Sequence, residues 1–165
     1  PDSCLHELGA DAPAVKTLLR DMEQQIEFAL KQIRNKTDVL ITADHGHTDI
    51  ESLFIDDVPE LLECLLHPLS LESRCVSLFI KPECLAEFPG LFNKHFGKWF
   101  KLVTKSEFET EYLHAEKSVR FVGDFVALAT DKYDLKQRPD TIVLKSHHAG
   151  ITSDELEIPV IKISI

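Results

Sequence analysis

Apolar side chains recur at spacings of three and four from Pro13 to about Asn35: Val15, Leu18, Leu19, Met22, Ile26, Ala29, Leu30 and Ile33. That is the helical period. It predicts an amphipathic helix capped by Asp11 or Ala12, with Pro13 in its first turn, and ended by Asn35-Lys36-Thr37. The run Asp38-Val39-Leu40-Ile41-Thr42 reads as a short strand, buried and parallel in type. Ala43-Asp44-His45-Gly46 then forms a loop at its C-terminal end, where open α/β sheets place their sites. Residues 1–12, rich in turn formers and polar groups, read as a loop.

The texture changes after Asp57. Helices are predicted over 59–66, 85–96 and 106–113, and strands over 75–80, 99–103 and 125–129. Residues 141–165 return to the first texture: His147-His148-Ala149-Gly150 as a loop, a helical turn capped by Thr152 or Ser153, and a strand over 158–163. The chain thus reads as an α/β layer built from 1–56 and 141–165, with a small α+β insertion over 57–140.

Composition narrows the partners. The formal net charge is -10. A nucleic-acid polymer needs a basic face to release its counterions, so that partner is not expected. No apolar run of 18 residues exists, so no membrane span is expected. Cys4, Cys64, Cys75 and Cys84 match no CxxC pattern and read as free thiols of a reducing, cytoplasmic compartment.

Three segments carry candidate chemistry. In the first, Asp2 and His6 stand four apart, a spacing that allows both onto one face of a turn; the alternative is two loop residues that never meet. The second is Asp44 next to His45. Adjacent residues can face one cation only from irregular backbone, and Gly46 allows close approach there; the alternative is a solvated turn in which Asp44 bonds its own backbone. The third is His147-His148 before Ala149-Gly150. His47 is a candidate supporting group, but a solvated loop residue is the plainer reading.

In this order the segments PDSCLHELG, LITADHG and HHAGITSDELEIPVI resemble the type I phosphodiesterase/nucleotide pyrophosphatase branch of the alkaline phosphatase superfamily. The resemblance implies an alkaline-phosphatase-like αβα sandwich, present in part, and a metal-dependent hydrolase of phosphate mono- or diesters. It implies two divalent cations, zinc by ligand type, although manganese also suits carboxylates. Asp2, His6 and His148 would hold one, with His147 as a substitute ligand; Asp44 and His45 would hold the other. The family's remaining ligands, an Asp and the nucleophilic Thr or Ser, lie upstream of this pattern. This sequence is therefore expected to be a C-terminal fragment that is inactive alone. The expected partners are a small phosphate ester and a second copy covering an exposed sheet edge as a homodimer. A non-catalytic, metal-binding or regulatory domain of the same fold is the alternative.

Overall fold

The computed structural model describes residues 1–114, 121–139 and 142–165. The sequence-predicted boundary between insertion and core, at 140/141, lies outside the described residues. The chain forms two compact units: Pro1–Asp49 with Val143–His148 and Ser153–Ile165, and Ile50–Ile142 with Ala149–Thr152.

The first unit begins with a correction. Residues 1–12 are not all loop, because Asp2–Leu8 form helix α1. Seven residues are too few to show a helical period, and the ties that hold this helix come from far along the chain. Helix α2 spans Pro13–Leu30, with Ala12 at its cap and Pro13 in its first turn. It stops short of the predicted end near Asn35. Strand β1, Asp38–Thr42, lies where the apolar run placed it, but it pairs antiparallel with the last strand, β10, Val160–Ser164. Its sides alternate between exposed and half-buried, and Leu40 is 64% exposed. A buried parallel strand was expected; β10 is the only strand β1 pairs with among the described residues. Two short strands, β2 (Thr48–Asp49) and β9 (Ser146–His147), pair antiparallel with Thr48 opposite His147. Helix α6, Ser153–Leu156, follows the predicted helical turn.

The second unit holds the apolar core. Strands β4 (Ser70–Glu72), β5 (Cys75–Leu78), β7 (Phe125–Ala129) and β6 (Phe100–Thr104) form one sheet in the order β4-β5-β7-β6, antiparallel throughout. Helices α3 (Pro59–Cys64) and α4 (Phe88–Phe96) bury Leu61, Phe88 and Phe92 against Val76, Leu78 and Ala127. Phe88, Phe92 and Phe96 recur every four residues, which is why α4 turns one aromatic face inward. Strands β3 (Glu51–Phe54) and β8 (Tyr133–Lys136) form a separate parallel pair. Helix α5, Lys105–Glu107, starts with a capping box between Thr104 and Glu107 and runs on as a wider turn through Tyr112.

Candidate metal centre

The first unit gathers four side chains from three distant segments. One ligand atom from each of Asp2, His6, His47 and His148 lies within 4.8 Å of the others. The Nε2 atoms of His47, His6 and His148 stand 2.8, 3.4 and 3.6 Å from the same oxygen, Asp2 Oδ1.

Local structure explains the convergence. Helix α1 puts Asp2 and His6 one turn apart on one face. Gly9 closes that helix at φ 91, a conformation that favours glycine, and its amide donates to Leu5 O. The next amide, of Ala10, donates to Asp49 Oδ1 at 2.8 Å, which ties the turn to β2. Strand β9 is tied to the same helix: the Lys145 amide donates to His6 O, and the Ser146 hydroxyl donates to Leu5 O at 2.8 Å. With Thr48 opposite His147, the antiparallel register sets His47, just before β2, across from His148, just after β9.

These ties also fix where the ring protons lie. His6 Nδ1 is 2.8 Å from Ser146 O. A carbonyl can only accept, so Nδ1 carries the proton and Nε2 presents a lone pair. The Ser146 hydroxyl proton is committed to Leu5, so Ser146 Oγ accepts from His47 Nδ1 at 3.1 Å. His47 Nε2 therefore also turns a lone pair toward the Asp2 carboxylate, unless that ring carries a second proton. Burial, chiefly, holds His47 below the usual imidazole range and disfavours that second proton. Asp2 is held below the usual carboxylate range, first by the contact with His47, while burial opposes the shift. The two tendencies conflict: the carboxylate stays ionised, and burial resists the imidazolium that would face it. Lone pairs converging on an ionised carboxylate call for a cation among them, so the donor set fits a divalent metal. The arrangement in which an Nδ1 proton is held by backbone or hydroxyl oxygen and Nε2 points to the metal is the one that orients imidazole ligands. His148 is pushed down to about 4, first by burial and then by the neighbouring imidazoles. It is therefore neutral at physiological pH and able to ligate.

Asp44 and His45 are not among the four whose ligand atoms converge. Asp44 is 90% exposed, its Oδ1 accepts the His45 amide at 3.2 Å, and its Oδ2 lies 3.7 Å from His45 Nε2. His45 Nδ1 donates to Gly46 O at 3.0 Å, so its Nε2 also offers a lone pair. Its ring stacks on His148, centroids 3.7 Å apart. The solvated turn weighed from sequence, with Asp44 bonding the adjacent backbone amide, and a ligand-type pair thus coexist here. His147 is buried in β9 rather than in a loop, with its ring 4.9 Å from that of His6.

His47 is the residue that sequence reading undervalued. Its side chain is 5% exposed, and it is no solvated loop residue. The only sequence signal was its position two residues after His45. Ala149 sits at φ 81, a left-handed conformation that an alanine adopts at a cost.

Three solved structures share the fold. Murine ectonucleotide pyrophosphatase/phosphodiesterase 5 superposes with a TM-score of 0.70 at 18% identity, covering 97% of this chain and 44% of that one. The human protein of the same name gives 0.74 at 18% identity, over 98% and 44%. An inactive murine variant in complex with AMP gives 0.69 at 18% identity, over 97% and 44%. This chain thus spans less than half the length of each, and its fold is of their alkaline-phosphatase-like α/β type. The family model for type I phosphodiesterase / nucleotide pyrophosphatase matches residues 1–150, and the chain belongs to that family of hydrolases.

Proposed function

We propose that this chain carries the metal centre of a hydrolase acting on phosphodiester or pyrophosphate bonds of a small, nucleotide-like substrate. The observation that supports the reading is the convergence of three imidazole Nε2 atoms on Asp2 Oδ1. Asp2, His6 and His148 would hold one divalent cation, with His47 beside them, and Asp44 with His45 would hold a second; zinc suits this mixture of imidazole and carboxylate. When bound, such a pair of cations stabilises the attacking and leaving oxygens of an in-line displacement at phosphorus. The chain's own residues prepare that chemistry. Ser146 fixes the tautomers of His6 and His47 through its carbonyl and hydroxyl. Asp49 holds the α1 turn in place. Burial keeps His148 neutral. The hydroxyl nucleophile that the family uses is assigned to none of these residues.

The test is hydrolysis of bis(p-nitrophenyl) phosphate in the presence of zinc by the protein that contains this chain. Loss of a ligand through Asp2→Ala or His6→Ala is expected to lower the rate by about 100-fold or more. Unchanged turnover in both variants would rule the reading out.

One observation favours a second reading, a non-catalytic metal-binding domain. Asp2, His6, His47 and His148 would make a four-ligand set, and closed sets of four are typical of structural zinc. Zinc bound tightly with no turnover of any phosphodiester, and none gained in His47→Ala, would decide for it. We also propose a homodimer that covers the exposed Phe28, Val160 and Ile161 of the first unit. Light scattering that gives a monomer at high concentration would refute that. A cytoplasmic setting remains our proposal on the same footing; disulfide-linked cysteines in protein taken from its native cell would refute it.

A further inference from the structure

The second unit holds another ligand cluster, which shares no residue with the first. One ligand atom from each of Cys64, Cys84 and Glu87 lies within 4.8 Å of the others. Both cysteines are free thiols. Backbone hydrogen bonds set the three in place. The Lys81 amide donates to Cys64 O at 2.9 Å, the Cys84 amide to Lys81 O at 2.9 Å, and the Glu87 amide to Cys84 O at 3.2 Å. Cys64 ends α3, Cys84 ends a short 3-10 turn, and Glu87 is the residue before α4. The positions of the ligands are thus set by elements whose apolar faces are packed in the core, not by loose side chains.

The surroundings select the sign of the occupant. Glu60, Glu63 and Glu83 line the same hollow, with Lys81 as its basic residue. The Lys81 ammonium is engaged by the Glu63 carbonyl at 2.7 Å. An acidic hollow around two thiols and a carboxylate favours a thiophilic cation over an anion or an apolar ligand. We propose that Cys64, Cys84 and Glu87 form a binding site for a zinc-class divalent cation that fastens the end of α3 to the start of α4. Two sulfurs and one oxygen supply three tetrahedral positions, and the fourth faces the hollow. On binding, each thiol gives up its proton to solvent as its sulfur bonds the cation, so no oxidant or reductant is involved. This site is independent of the phosphodiesterase reading, since it shares no ligand with the histidine cluster.

The experiment is a titration of the reduced, metal-stripped chain with Cd2+ under argon, read by the ultraviolet charge-transfer band of thiolate–cadmium bonds. The histidine cluster gives no such band, so failure of one site does not mimic failure of the other. The expected result is a band that saturates at one cadmium per chain and protects two thiols from a disulfide-exchange reagent. It should persist in Cys4→Ser and His6→Ala. It should be lost in Cys84→Ser and need at least about tenfold more cadmium in Glu87→Gln, an exposed substitution that leaves the core untouched. Absence of the band, its persistence in Cys84→Ser, or unchanged affinity in Glu87→Gln would overturn the proposal.

Discussion

Gly46→Ala is the most demanding substitution in the loop that carries Asp44, His45 and His47. A Cβ on Gly46 would stand 1.9 Å from the carbonyl oxygen of Asp154, 3.0 Å from its carbon and 3.4 Å from Glu155 Cα. Real Cβ contacts do not fall below 3.0 Å, so the loop and the α6 segment must separate by at least about 1.1 Å. Both sides of the clash are backbone, and no side chain can swing away. The Gly46 amide donates to Glu155 O at 2.9 Å, and the same movement stretches that bond. Losing it costs about 1 kcal/mol, and forcing the extra methyl into packed backbone costs about 1–3 kcal/mol more. The expected destabilisation of the first unit is therefore about 2–4 kcal/mol. His45 and His47 flank the glycine, so zinc affinity should fall by about 10- to 100-fold as well.

Urea unfolding followed by far-ultraviolet circular dichroism reads the first effect. Trp99, the single tryptophan, lies in the second unit, and its fluorescence would not report on this loop. Zinc competition with a chromophoric chelator reads the second effect. Gly90→Ala is the control. A Cβ there meets nothing within 4 Å, and the residue lies inside α4, so alanine should stabilise by about 0.5–1 kcal/mol. If Gly46→Ala unfolds within 0.5 kcal/mol of the parent and keeps its zinc affinity, the close approach of the two segments does not exist as described.

Further expectations concern single residues around the same centre. Ala149→Gly relieves the left-handed strain at φ 81 and should raise stability by about 1 kcal/mol; a loss in the same urea assay would contradict that backbone conformation. His47→Ala should weaken zinc binding by about tenfold or more, whereas a solvated loop residue would leave a calorimetric titration unchanged. His148 should titrate near 4 by histidine proton resonance in chelator-treated protein. Its folded pKa lies below the unfolded value of 6.5, so the unfolded chain takes up more protons between the two. Its contribution is then present above about 6.5 and is lost as pH falls toward about 4. A melting temperature flat across that window, or a His148 midpoint near 6.5, would contradict its burial.

The reasons some features were readable in the sequence, and others not, are physical. Helix α2 and strands β1 and β7 announce themselves because their apolar periods are long enough to count. Helix α1 does not: its seven residues hold no period, and its ties run to Ser146 and Asp49. Strands β3 (Glu-Ser-Leu-Phe) and β8 (Tyr-Asp-Leu-Lys) have four residues each, too few to show a period, and their parallel pairing defines them. The ligand types at Asp2, His6, His45 and His148 were visible as ordered motifs. The importance of His47 was not, because its contacts are with Asp2 and Ser146, 45 and 99 residues away. The same distance effect hid Cys64 and Cys84, whose separation matches no metal motif until the backbone brings the two together. At β1 the apolar run was legible, but its orientation and exposure depend on the neighbour it pairs with, which no local pattern encodes.

The central claim is that Asp2, His6 and His148 hold a cation, with His47 beside them. Elemental analysis of zinc-equilibrated, gel-filtered Cys84→Ser chain tests it most directly, since that background removes one of the two thiol ligands of the second unit and with it the proposed site there. The Asp44–His45 pair, whose carboxylate is largely open to solvent, should lose its metal during gel filtration, so one zinc per chain is expected. Asp2→Ala and His148→Ala should each abolish it while circular dichroism stays that of the parent. No zinc in the Cys84→Ser chain, or one zinc kept in both further variants, would contradict the claim.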